Sequence, residues 1–352
     1  IMSVDAWPRL SFWDLSAIAQ KGKNVLALQV WTHGGKSDVG DVSSLEAGVF
    51  GWLSAGDQIT ATGSQWKSRL ATGYVHTHPD VMYRSFTEHR LITIDIRNEP
   101  MNWMESDFDD GQWQPATKVH PFQHPERKGY RISEIPNLTC HELHTPKIID
   151  AGWAIGGIPV VYDEDIAKRM VAQEHQSLLR EDIELSYPFH KSKGEPIAQA
   201  KRLPKPEKLN WSSLNCPVNI PTPGANREFY LTFDLGQQTS GCVLLKLESQ
   251  AACTIDIGYG DQLVKGRIEP TLQHSLADRV ILNAGKNKFR LPHDRGCRYL
   301  QINLTSAATL QKVNWEEHIF PHPQSLPFQS SDKALTAIWA AADRTLRQTS
   351  LW

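Results

Sequence analysis

Apolar and polar residues alternate with a period of two through much of the second half of the chain. Phe229, Leu231, Phe233 and Leu235 share one face of an extended segment, opposite Tyr230, Thr232 and Asp234. The same alternation returns at Val243, Leu245 and Leu247, at Ile255, Ile257 and Tyr259, and at Leu300, Ile302 and Leu304. Turn-forming clusters at 236–241, 249–252 and 283–287 separate these runs. Short strands joined by tight turns predict a β-sandwich or jelly roll. A second strand-rich region precedes it, clearest at 24–31 and at 91–97, where Ile92, Ile94 and Ile96 face one way. Between the two regions the pattern changes: residues 163–180 fit one helix, and the Pro- and Lys-rich stretch 193–208 fits an extended linker. At the end the period lengthens, because Leu335, Ile338, Trp339, Ala342 and Leu346 fall on one face of a helix that Asp332 is placed to cap.

The expected fold is therefore mainly β: two β-sandwich or jelly-roll domains followed by a helix. The expected boundaries are 1–125 for the first sandwich, 126–225 for a connecting segment with one helix and a linker, 226–325 for the second sandwich, and 326–352 for the start of a helical region. The apolar stripe of that last helix has no evident partner in a β-only chain and should be exposed unless a further domain covers it. The chain starts at Ile1 and stops at Trp352 within the helical pattern, so it is expected to be a piece of a longer protein.

Composition narrows the function. The 352 residues carry 37 Lys and Arg against 39 Asp and Glu, a net charge of -2, so no broad basic field exists to attract nucleic acid. The uncharged run 151–162 contains Gly and Pro and is shorter than the ~20 residues a spanning helix needs, so no membrane span is expected. The five cysteines are widely spaced and odd in number, which suggests neither a disulfide framework nor a CxxC metal site.

Short motifs add little chemistry. His141-Glu142-Leu143-His144 lacks the second His at i+4, where Thr145 stands, so it does not make a zinc-peptidase helix. His76 and His78 form an HxH pair without a third ligand nearby. Gly258-Tyr259-Gly260 begins like a dinucleotide loop, but position 263 is Leu and no βαβ pattern follows. GxSxG and P-loop signatures are absent from the chain, and no run of Asp and Asn resembles a calcium loop. No metal, cofactor or catalytic residue is expected within the chain. Asn303, in a sequon, sits inside a strand, which disfavours glycosylation. Twelve Trp residues allow sugar stacking, yet Trp103, Trp113 and Trp315 lie in or beside strand-like segments and read as packing residues.

Several segments together resemble the non-catalytic part of family 78 glycoside hydrolases, the α-L-rhamnosidases and their relatives. Phe12-Trp13-Asp14-Leu15 with Lys21-Gly22-Lys23-Asn24-Val25-Leu26-Ala27-Leu28 resembles a strand of the family's galactose-binding-like sandwich. Thr62-Gly63-Ser64-Gln65-Trp66-Lys67 is similar to its TDxSWK segment, and Phe108-Asp109-Asp110-Gly111-Gln112-Trp113 to the end of that domain, where the Asp pair reads as a turn cap. Phe233-Asp234-Leu235-Gly236, the 255–263 segment, Gly266-Arg267-Ile268, Ala277-Asp278-Arg279 and Arg298-Tyr299-Leu300-Gln301-Ile302 occur in the order of the sandwich that precedes the catalytic barrel. Phe328, Ser331-Asp332, Leu335, Ile338-Trp339 and Thr345-Leu346 are similar to the linker and first helix of an (α/α)6 barrel. The family's YxE reads Tyr259-Gly260-Asp261 here, and Cys297 stands where an aromatic residue precedes Arg298.

The resemblance implies an ancillary β region of an inverting rhamnosidase-like hydrolase whose two carboxylates lie in the barrel. The fragment alone is expected to be inactive. Its expected partners are a rhamnose-containing glycan or glycoside and the helical catalytic domain of the same chain, and bacterial extracytoplasmic polysaccharide degradation is the family-level expectation. Asp261, Asp278 and Arg279 are the expected substrate-side residues, on a long inter-strand connection facing the barrel mouth; the alternative for Asp278 and Arg279 is a local ion pair or a domain contact. A stand-alone carbohydrate-binding protein is the alternative reading, and a purely structural adhesion module a third.

Overall fold

A computed structural model of the chain describes residues 9–30, 48–76, 92–100, 102–117, 131–132, 139–142, 146–156, 165–179, 215–264, 266–270, 276–321 and 328–349. They fall into two compact units, one formed by Gly73–Asn98 and Asn137–Leu351, the other by Ser3–Thr72 and Glu99–Pro136. The protein is mainly β, as its alternation predicts, with two α-helices among the described residues.

The smaller unit shows three two-stranded ribbons among its described residues: β1 (Arg9–Leu10) with β8 (Arg131–Ile132), β2 (Trp52–Ala55) with β3 (Gln58–Ala61), and β4 (Lys67–Ser68) with β7 (Gln114–Pro115). The strand expected at 24–31 does not form over its described part, 24–30. Asn24 instead closes a local turn, accepting from the Gln20 amide and donating to the carbonyls of Gln20 and Gly22, and no neighbouring ladder takes up Val25 to Val30. The Asp pair behaves as read. Asp109 caps a turn through the Gly111 amide at 2.9 Å, and Trp113 packs against Trp103 and Phe108.

The larger unit holds a 12-stranded sheet. Its main path runs β11 (Glu174–Ser177), β10 (Lys147–Ile155), β13 (Arg227–Ser249), β19 (Arg295–Leu304), β14 (Cys253–Gly260), β17 (Ala277–Leu282), β6 (Ile92–Asp95) and β5 (Tyr74–His76). Branching from β13 are β18 (Gly285–Arg290) and β20 (Ala308–Ile319), and β20 also pairs with β12 (Val218–Ile220) and β9 (Thr139–Glu142). The connection between β14 and β17 carries a small hairpin, β15 (Leu263–Val264) with β16 (Arg267–Ile268).

The turn expected at 236–241 is instead a bulge within the single 23-residue strand β13. Residues 227–234 pair with β10 and β19, residues 241–249 with β18 and β20, and the β19 ladder slips register between Asp234 and Thr239. Gly236 adopts φ +82, a conformation that only glycine reaches without strain, and the Asp234 carboxylate accepts from its amide at 2.7 Å. The physical reason lies in parity. Phe229, Leu231, Phe233, Val243, Leu245 and Leu247 all occupy odd positions, so a bent but unreversed strand keeps every one of them in a single core. That core also contains Ile255, Ile257, Leu300, Ile302, Leu310, Val313 and Trp315.

The helix expected at 163–180 is shorter. α1 (Ile166–Ala172) is capped by Asp165, whose carboxylate accepts from the Lys168 amide, and the chain then leaves the helix to become edge strand β11 against β10. Residues 174–177 show period-2 burial, His175 and Ser177 inward, so pairing with the open edge of β10 wins over helix propensity. α2 (Lys333–Thr349) forms where predicted, with Asp332 accepting from the Ala334 amide at 2.8 Å. Its stripe is exposed: Leu335, Ile338, Trp339 and Leu346 all keep more than 40% of their surface accessible.

Candidate functional site

Strands β11, β10, β13, β19, β14, β17 and β6 of the main path carry buried polar side chains opposite the apolar core. Asp150, Glu228, Tyr230, Asp256, Arg279, Gln301 and Asn303 line this second face with His175 and Ser177 from the edge strand. α1 lies over it. Ile166, Ala167 and Met170 form a small apolar cluster with Ala277 of β17, and the helix delivers Arg169 into the polar layer. Close approach is made possible by Gly258, where a Cβ would stand 2.8 Å from Ile268 and 3.0 Å from Met170.

Arg169 binds Glu228 at 2.9 Å and also reaches Asp256. Arg279 holds the same Asp256 through two hydrogen bonds of 2.7 and 2.8 Å. Glu228 further accepts from Gln173 (2.8 Å) and Asn303 (3.2 Å), and Gln301 bonds Asn303 (2.9 Å). Two guanidiniums thus face two carboxylates, with the amides of Gln173 and Asn303 adding to the Arg169 contact at Glu228 Oε2 while Oε1 is buried without a hydrogen-bond partner among the described residues. Burial pushes the Glu228 carboxyl above its ordinary value, with Arg169 pulling the other way. Burial, reinforced by the Arg267 guanidinium, holds His175 well below its ordinary value, so its imidazole is neutral. At the edge, Asp150 accepts from Ser177 (2.5 Å) and Tyr230 (3.1 Å).

The three residues named from the sequence do not converge. Asp278 and Arg279 point to opposite faces of β17, both about 1% exposed, and do not pair with each other. Asp278 accepts from the Tyr259 hydroxyl at 2.8 Å and binds Arg295 at 2.6 and 3.1 Å; burial, then the Asp278 charge, raise the Tyr259 phenol well above its usual value. Asp261 is exposed at the end of β14 and accepts from the Gln238 side chain at 2.8 Å. The Gln238 carbonyl in turn accepts from Gln348 in the last turn of α2, so Asp261 sits beside that end of the helix.

Sequence reading missed Glu228, Asp256, Arg169 and their amide partners. The available signal was a carboxylate repeated at the even positions of otherwise apolar strands. His76 ends β5 and His141 and Glu142 lie on β9, but His78, Leu143 and His144 fall outside the described residues. The buried layer offers charge matching among side chains. A shallow depression of about 480 Å³, lined by Gln329, Ser330, Lys333, Thr336, Ala337 and Ala340, has no carboxylate or imidazole in its wall. Neither place combines an acid and a base around an open volume.

No protein-family model and no curated protein matches the chain. Among solved structures, it is similar to a GH78 family rhamnosidase of Bacillus sp. GL1, with TM-score 0.59 and 15% identity over 85% of this chain and 47% of that one. It also aligns with a native α-L-rhamnosidase from Aspergillus terreus (TM-score 0.49, 12% identity, 96% of this chain and 31% of that one). A Streptomyces avermitilis α-L-rhamnosidase complexed with L-rhamnose aligns at TM-score 0.44 and 14% identity, over 83% of this chain and 20% of that one. The chain has a rhamnosidase-like fold and spans about half the length of the Bacillus enzyme.

Proposed function

We propose that this chain is the ancillary β region of an α-L-rhamnosidase-like glycoside hydrolase, working beside a helical catalytic domain that α2 begins. The fold likeness to the Bacillus rhamnosidase over 85% of the chain supports this reading. In it, the exposed stripe of Leu335, Ile338, Trp339 and Leu346 packs against the rest of the helical domain. The inverting acid and base, two carboxylates set ~6.5–9.5 Å apart around a water, reside in that domain. The β region braces it, and Asp261, on the surface beside α2, lines the outer part of the substrate groove. Asp278 and Arg279 serve that role indirectly, by tying β14, β17 and β19 together beneath the loop.

The test is turnover of an aryl α-L-rhamnoside. The 352-residue chain should show none, and the chain extended to the end of its reading frame should release the phenol with inversion. Turnover by the 352-residue chain, or an extension without a helical domain, overturns the proposal. Asp261→Ala in the extended protein should raise KM and leave kcat nearly unchanged.

One observation favours a second reading, a carbohydrate-binding module. In the smaller unit Phe12 and Phe50 each stand with ring centroids 6.0 Å from Trp52, and all three keep more than 40% of their surface accessible, the type of surface on which a pyranose stacks. Calorimetry with rhamnose-containing glycans decides this: heat that disappears in Trp52→Ala supports it, and no heat removes it.

A further inference from the structure

A second polar cluster lies on the outer face of the β13 and β20 pair, opposite the apolar core. Cys242 of β13 is directly across from Glu316 of β20, and His318 is two residues further on the same strand and face. Asp294, in the connection from β18 to β19, completes the group. The Cys242 thiol, one Asp294 oxygen and one His318 ring nitrogen all lie within 4.8 Å of one another. We propose that these three side chains form a binding site for a divalent transition metal of the zinc class.

The ligand set is a thiol, an imidazole and a carboxylate, the three donor types that a borderline-soft ion such as Zn2+ accepts in a tetrahedral shell. They come from three separate segments and converge without help from a local motif. The imidazole is already oriented. Its Nδ1 is 2.6 Å from Asp294, while its Nε2 is 3.0 Å from Glu316 and 3.3 Å from the Arg290 guanidinium, so both ring nitrogens are held in place. A carboxylate that accepts from the far ring nitrogen is the usual outer support of a metal-bound histidine. Glu316 is itself clamped by Arg290 at 2.6 and 2.9 Å.

Charge favours the same assignment. Arg290 offsets Glu316, which leaves Asp294 and a Cys242 thiolate to balance a dication. Binding displaces the thiol proton to solvent as the Sγ–metal bond forms. Cys242 and His318 are buried, whereas the Asp294 side chain is 28% exposed, giving an ion an entry route from solvent. Of the described free cysteines, Cys216, Cys253 and Cys297 are not in this cluster.

Cobalt(II) added to the metal-free 352-residue chain tests the site. One equivalent should bind, with thiolate-to-cobalt charge-transfer absorption in the near ultraviolet and visible bands of four-coordinate intensity, and zinc should displace it. Zinc should also raise Tm. Cys242→Ser should abolish the charge-transfer absorption, and Glu316→Gln should weaken binding roughly 10- to 100-fold by loosening the ring. If Cys242→Ser loses its far-ultraviolet circular dichroism, Asp294→Asn, on a half-buried loop, carries the test and should weaken binding by at least tenfold. A folded wild-type chain without the thiolate absorption overturns the proposal, as does absorption that survives in a folded Cys242→Ser protein or binding unchanged by Asp294→Asn.

Discussion

On one side of β13, Phe229, Leu231 and Phe233 enter a continuous apolar core; on the other, Glu228, Tyr230 and Thr232 are just as buried, beneath α1 and beside its Arg169. The two faces exclude water equally and do so by different physics. The core face gains from removing hydrocarbon from water and has no directional requirement beyond packing. The polar face gains only while each donor meets its acceptor, because desolvated charges repay their cost through geometry. The first face tolerates approximate answers, and the second fails when one member is removed.

That contrast can be broken by experiment. The largest effect is expected for Asp256→Ala, which removes the buried carboxylate that Arg169 and Arg279 share and should cost about 3–5 kcal/mol in urea unfolding. Leu231→Ala on the opposite face should cost roughly 2–5 kcal/mol, according to how far the core closes over the space. An Asp256→Ala penalty no larger than that of a surface substitution would show that the polar layer is wet in solution. Next comes Gly258→Ala, whose methyl meets Ile268 and Met170; α1 must shift to accept it, at about 1–3 kcal/mol, measured as a lower Tm.

A smaller effect separates the faces by pH. His175 is neutral when folded and takes up a proton on unfolding below about 6.5, so stability is complete above that pH and falls as pH drops toward the depressed folded value. Glu228 has the opposite sign, its raised carboxyl adding stability at acid pH and losing it as pH rises. The slope of Tm against pH just below pH ~6.5 should flatten in His175→Asn. The smallest effect is expected for Ile338→Ser on exposed α2, within about 0.5 kcal/mol of wild type for this chain.

These faces also mark where the sequence was readable. Period-2 alternation correctly placed Phe229 to Phe233, Ile255 to Tyr259 and Leu300 to Leu304 on one core, and Trp315 is buried within it. Helical spacing and Asp332 located α2 together with its exposed stripe. Alternation reports which side chains share a face, however, and carries no information about what lies beyond the opposite one. The covering element here is a seven-residue helix that owes its position to the absent side chain of Gly258, and a single glycine in a strand carries no such message in isolation. The Cys242, Asp294 and His318 group was equally hidden, since its members meet only after β13 bends and β20 returns alongside it.

The bend in β13 has a bearing on how the larger unit comes apart. A strand that supplies ladder bonds to β10 and β19 with one half and to β18 and β20 with the other cannot be withdrawn from either set alone. The amides of both halves should therefore exchange with solvent at the same free energy, as one cooperative block with no separable layers. Assembly meets the same restriction in reverse. Residues far apart in sequence must find the middle of one strand before any of them is secure, which places the slow step of folding at the bulge near Gly236.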